Sequence, residues 1–257
     1  MLLVLKLVLT PLLTLLLTLA ARKWGQRVSG IVTGLPLNSG PISFLFALQY
    51  GTNFAAQAAV GSMGGMAAIA GFALTYAYLA KRAPWYLCAP FALGIYFIGI
   101  YLLDLTKPSL ALTLVVTTIA LALTIRLMPH AENFSGTIQA PRWDLPMRLI
   151  TATAFVLIIT ALGDLLGPRL GGLVSTFPIF ATVMTVFAHR HQGAAAAMQW
   201  LRGSLFGMYA TVAFYVVIGT LVTQLPLIVT YPLAIAAALS VNGLMLHFTR
   251  TPLQEPE

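Results

Sequence analysis

Nine apolar runs, each long enough to cross a hydrocarbon layer of about 30 Å, follow one another at roughly 2–21, 28–49, 54–80, 84–103, 107–128, 146–163, 170–189, 195–222 and 226–248. A chain patterned this way has no polar face to turn to water along most of its length. Composition agrees: 59% of the 257 residues are hydrophobic and 8% are charged, against about 25% charged in a soluble domain. The expected fold class is an all-α integral membrane protein, because lipid tolerates only backbone that satisfies its own hydrogen bonds. The net charge of +8 would suggest nucleic acid in a soluble protein. Here the basic residues fall between apolar runs and read as topology signals, so no nucleic-acid partner is expected.

The first run resembles a secretion signal in ending on small residues. It lacks a basic start, and its apolar stretch exceeds the usual length of about 7–15 residues. The basic cluster Arg22, Lys23 and Arg27 follows it. It is read as a membrane helix. The single cysteine, Cys88, rules out an intrachain disulfide and a cysteine-based metal site. Four histidines, His130, His189, His191 and His247, fall near expected helix ends. His189 and His191 flank Arg190 and read as a solvated charged turn; no metal and no cofactor is expected.

Sliding the chain on itself gives a gapless match at an offset of 142 residues. Gly25 falls on Gly167, Arg27 on Arg169, Gly30 on Gly172, Pro36 on Pro178, Gly51 on Gly193 and Gln57 on Gln199. Gly61-Ser62 falls on Gly203-Ser204, Gly65-Met66 on Gly207-Met208, Pro84 on Pro226, and Pro90 on Pro232. Leucine matches mean little in an apolar chain, whereas glycine, proline, arginine and glutamine each set a backbone or polarity requirement. The expected organisation is a four-helix membrane repeat over 1–106, a linking helix and cytoplasmic loop over 107–143, a second four-helix repeat over 144–249, and a short tail over 250–257. Five helices precede the second repeat, so it enters the membrane from the opposite side, giving inverted topology.

Charge gives an independent test. With nine spans, Lys6, Lys107 and Arg169 lie on one side and the remaining eleven of the 14 basic residues on the other. The rich side is expected to be cytoplasmic, placing the N-terminus outside and the C-terminus inside.

The second helix of each repeat is interrupted. One reads VSGIVTGLPLNSGPISFLFALQYG and the other LGGLVSTFPIFATVMTVFAHRHQG. Pro36 and Pro178 each remove a backbone hydrogen bond near mid-membrane. The freed carbonyl needs protein or a wet cavity. Thr33, Asn38 and Ser39 lie beside the first proline, Ser175 and Thr176 beside the second. Paired breaks of this kind point to a midplane binding site; a pair of locally repaired kinks is the alternative. Gln57 and Gln199 need partners in an apolar helix, either a broken-helix carbonyl or a substrate. The Gly61-x-x-x-Gly65 and Gly203-x-x-x-Gly207 spacings favour close helix packing.

Asp104, Lys107, Asp164 and Arg169 map to the outer edge. They read as an interfacial ion-pair belt, or, for Asp104 and Asp164, as proton-coupling carboxylates. Arg27 and Arg169 would lie at opposite mouths of one pathway, either as gates meeting an anionic solute or headgroup or as snorkelling anchors. No P-loop, G-x-S-x-G or H-E-x-x-H motif is present, so no enzymatic activity is expected.

The segment GGLVSTFPIFATVMTVFAHRHQG, followed by a small-residue helix, resembles the small bacterial inner-membrane proteins of the GlpM type. The likeness is strongest over 167–222 and weaker over 25–80, and it implies a fused, double-length relative. The first copy departs from it at Asn38-Ser39-Gly40-Pro41. The expected function is transport or export of a small solute across the bacterial inner membrane. Lipid or polyprenyl-phosphate translocation, and a non-transporting accessory role, are the alternatives. The expected partners are the lipid bilayer and a small-molecule or lipid substrate, with homo-oligomer formation left open.

Overall fold

The computed structural model describes residues 2–36, 39–106, 108–129, 143–154, 157–158 and 177–249, and among them there is no strand. The helices are α1 (Leu2–Thr33), α2 (Ser39–Tyr50), α3 (Thr52–Ala80), α4 (Trp85–Thr106) and α5 (Leu110–Leu127). After them come α6 (144–154), α7 (Ile179–Gln192), α8 (Ala194–Leu221) and α9 (Leu227–Thr249). Five of these, α3, α4, α5, α8 and α9, are long and apolar enough to cross a membrane.

Their burial pattern is the reverse of a water-soluble bundle. On α5 the buried residues are Thr113, Thr117, Leu121 and Thr124, while Leu112, Val115, Val116, Ile119, Leu123 and Leu127 face outward. These four positions recur every three or four residues, one helix face. On α4 the buried face is Cys88, Ala89, Ala92, Tyr96 and Ile100, and Leu87, Phe91, Ile95, Ile98 and Leu102 are exposed. Small and hydroxylated residues inside, with branched and aromatic residues outside, suit a bundle surrounded by lipid. There close contact and internal hydrogen bonds replace the hydrophobic drive.

Glycines turn the chain. Gly25, Gly51 and Gly193 have φ of 86°, 86° and 89°, with ψ between 167° and 177°, a region essentially reserved for glycine. Gly25 folds α1 back on itself. The Ser29 hydroxyl donates to the Leu17 carbonyl at 2.8 Å, although residues 12 apart in a straight helix stand about 18 Å apart. The first limb of α1 therefore ends at the glycine, and a short second limb runs to Thr33. Gly51 and Gly193 make the corresponding turns from α2 into α3 and from α7 into α8.

Contacts fix the helix directions. A Cβ placed on Gly64 of α3 would meet Thr113 of α5, and the Tyr78 hydroxyl further along α3 donates to the Leu127 carbonyl. So α3 and α5 run in the same sense. Tyr209 of α8 donates to Thr118 O at 3.5 Å, and Gly219 lies against Leu110, so α8 runs against α5 and therefore against α3. α8 packs on α1, α3, α5, α7 and α9 and is the central helix.

The turn at Gly25, the turn after α3, the end of α5 and the end of α7 gather at one end of the bundle. Gln26 donates to Gln192 at 3.0 Å. Tyr76 bonds His189 at 3.2 Å. Arg190 lies over Trp85 and Trp143 at 5.8 and 5.4 Å. Arg22, Lys23, Lys81, Arg82, Arg126 and Arg190 share this end.

An added Cβ at Gly51 or Gly193 meets open space, so substitution there tests backbone strain alone. Gly51→Ala and Gly193→Ala are expected to destabilise by about 1–3 kcal/mol each. Gly94→Ala, which also meets open space at an ordinary helical position, is expected to be neutral. Thermal unfolding in detergent measures the difference.

Candidate functional site

The first break lies where the second limb of α1 stops at Thr33 and α2 begins at Ser39. The main chain turns tightly, with Gly34 N–H donating to Ile31 O and Leu35 N–H to Val32 O, both at 3.1 Å. Two helices of the second half complete the accounting. Asn242 of α9 donates its amide to the Ile31 carbonyl at 3.1 Å, and Thr211 of α8 donates its hydroxyl to the Gly34 carbonyl. Pro36 O accepts from Gly40 N at 2.8 Å. The Thr33 hydroxyl is spent on its own helix, on Ser29 O at 2.8 Å. These carbonyls are met by protein side chains rather than left open to a guest.

Pro36 is buried and stands, with Gly40, near the Phe214 ring. Pro178 is also buried and opens α7, with Phe177 beside it against Tyr96 and Phe97 of α4. Gln57 is exposed near the start of α3 and Gln199 is half-buried on α8. Arg27 is half-buried just past the Gly25 turn. Asp104 is half-buried in the last turn of α4. Asn38, Ser175, Thr176, Asp164, Arg169 and Lys107 lie outside the described residues, as does the Ser39 side chain.

A second polar centre sits at the basic end and was not singled out from the sequence. Asp144, 1% exposed, and Arg148, 2% exposed, are the charged residues buried among those described. The Arg148 Nε–H reaches both Asp144 oxygens at 3.1 Å, and Arg22 Nη2 reaches Oδ2 at 3.3 Å. His191 Nε2 stands 3.6 Å from Oδ1. Arg148 Nη1 faces the Met184 thioether at 3.5 Å, and the guanidinium lies 5.1 Å from the Phe187 ring. One carboxylate thus ties α1, α6 and α7 together. Its signal was an Asp-x-x-x-Arg spacing, one helical turn, in a chain with only 6 acids.

The expectation of a solvated turn at His189 and His191 is overturned. His189 bonds the buried Tyr76, and His191 sits between the rings of Trp143 and Phe187. The end of α7 is sealed by aromatic side chains from α3 and α6, which the local sequence does not show.

Along α7 lie buried polar atoms that no described residue satisfies. The Thr182 and Thr185 hydroxyls, His191 Nε2 and Gln192 Nε2 are buried without a hydrogen-bond partner among the described residues. Native structures leave few such groups, and each calls for an explanation such as water or a ligand. Comparison with protein-family models, with curated proteins and with solved structures returned no match.

Thr211→Val removes the side-chain donor to the Gly34 carbonyl, and Asn242→Leu removes the second donor to the Ile31 carbonyl, which keeps the Gly34 N–H. Each is expected to destabilise by about 1–3 kcal/mol, measured by thermal unfolding in detergent.

Proposed function

We propose that the chain is a bacterial inner-membrane secondary transporter or exporter of a small solute, working by alternating access between two inverted four-helix units of a nine-span fold. The observation that carries this reading is the line of buried polar atoms on α7, unpartnered among the described residues, running from Pro178 toward the basic end. In a lipid-embedded helix such groups are tolerated where they face a cavity or a passing solute.

The helix register supports two units. Moved by 142 residues, α2, α3 and α4 become 181–192, 194–222 and 227–248, beside α7, α8 and α9. The turning glycines Gly51 and Gly193 coincide in position and conformation. The equivalent helices α3 and α8 run in opposite senses, as inverted units require. Each break is also held by the other unit: the first by Thr211 and Asn242, the second through Phe177 on Tyr96 and Phe97. Rocking one unit against the other would then act on both breaks together. The basic end is the cytoplasmic end by the same charge argument as before.

Two experiments bear on this. Thr182→Val and Thr185→Val remove unpartnered hydroxyls at nearly constant volume. They are expected to leave the protein as stable or more stable while abolishing complementation of the metabolite profile of a deletion strain. Full complementation by both would sink the transport reading. In a Cys88→Ala background, cysteines at Asn53 and Ala195 are expected to react with impermeant reagent from opposite membrane faces; labelling from one face would remove the inversion.

A further inference from the structure

Among the described residues, the cluster around Asp144 holds more positive charge than that one carboxylate balances. Arg22 and Arg148 both reach Oδ2, and the His191 imidazole stands beside Oδ1. Arg190 adds a further cation nearby, stacked on Trp143, whose ring also faces His191.

The donors are under-used as well. The Arg148 side chain is 2% exposed, yet among the described residues its Nη1 has a thioether alone to donate to, a weak acceptor. Arg22 gives Nη2 alone to Asp144 and keeps 35% of its side chain exposed, so it faces the mouth of the cluster. Gln26, 4% exposed, bonds Gln192, which leaves Gln26 Oε1 and Gln192 Nε2 unpartnered. Whichever way the two amides are turned, one buried N–H₂ group lacks an acceptor. The walls are Phe187 and Trp143, and low-dielectric walls strengthen charge interactions inside.

We infer that Arg22, Arg148, His191 and the Gln26–Gln192 pair form a binding site for a phosphate oxyanion, free or carried on a lipid headgroup, with Asp144 as its resident counter-ion. A phosphate fits the planar guanidinium fork, which grips such oxygens bidentately. Its oxygens take the amide and imidazole donors that the protein leaves idle. In binding, it competes with Asp144 for Arg22. That exchange frees α1 from α6 at the basic end, so occupancy and opening become one event. The site's role in loading a transported anion rests on the transport reading; anion binding itself does not.

The test uses the full chain in nanodiscs of zwitterionic lipid. Inorganic phosphate is added at constant ionic strength against chloride, and thermal unfolding is followed. Phosphate is expected to raise the unfolding temperature saturably, because a ligand of the folded state stabilises it. Arg22→Gln, at a partly exposed position, is expected to weaken the apparent phosphate affinity at least tenfold. Asp144→Asn is expected to melt lower without phosphate and to gain more from it than the unaltered chain. A second arm replaces inorganic phosphate by an anionic phospholipid in the nanodisc. A shift there alone assigns the headgroup, and a shift with inorganic phosphate assigns the soluble anion. No shift in either arm, or an undiminished shift in Arg22→Gln, overturns the site. Thr185→Val should keep the phosphate shift while losing flux, so failure of the anion site and failure of the transport reading are told apart.

Discussion

The second limb of α1 and the first half of α8 touch main chain to main chain. A Cβ on Gly30 would meet the Trp200 carbonyl and one on Gly203 the Arg27 carbonyl; Gly34 and Gly207 lie directly against each other. The two helices run in the same sense along this seam, residue 27 beside 203 and 34 beside 207. Lipid tails are as apolar as leucine, so helices in a membrane gain from close van der Waals contact and hydrogen bonds. This contact provides both. Approach this close lets Trp200 donate its indole N–H to Ser29 at 3.3 Å and brings Thr211 within reach of the Gly34 carbonyl. The first break can exist in the bundle because the glycine seam carries its partners to it.

The two polar centres differ in chemistry. The break is neutral, and its Ile31, Val32, Gly34 and Pro36 carbonyls have partners. The Asp144 cluster is ionic, with two guanidiniums on one carboxylate, and ion pairs so deeply buried are weak sources of net stability because desolvation opposes them. α7 leads to the cluster: Pro178 opens the helix, and His191 and Gln192 end it there.

Much of this was legible in residue order. Glycine and proline require particular backbones, so the turns at Gly25, Gly51 and Gly193 and the stop before Pro36 followed from composition and position. The close contact at Gly203 and Gly207 followed from their spacing, though not its partner, since Gly30 and Gly34 lie far off in sequence; the same spacing in the first copy misled, because Gly61 is exposed and faces open space. The neutral partners of the first break were not legible either, because Thr211 and Asn242 look like any threonine or asparagine in an apolar helix. Nor was the ionic cluster. Asp144 and Arg148 follow a polar stretch and read as surface charge until Arg22, Met184 and His191 are brought around them. His189 and His191 failed as a solvated turn for the same reason: their covering residues, Tyr76 and Trp143, belong to other helices.

The distance along the chain between the first break and its partners also sets an order of assembly. The Gly34 carbonyl waits for a residue 177 positions later, and the Ile31 carbonyl, already paired with the Gly34 N–H, gains its second donor 211 positions later. While the ribosome is still making the second half, the Gly34 carbonyl lacks its α8 donor and is costly to leave bare in hydrocarbon. Until α8 and α9 emerge, the Gly34–Pro36 turn must be kept hydrated, at the lipid surface or inside the insertion machinery. The first half is thus an unfinished product, and the last two helices are what allow it to settle fully into the bilayer.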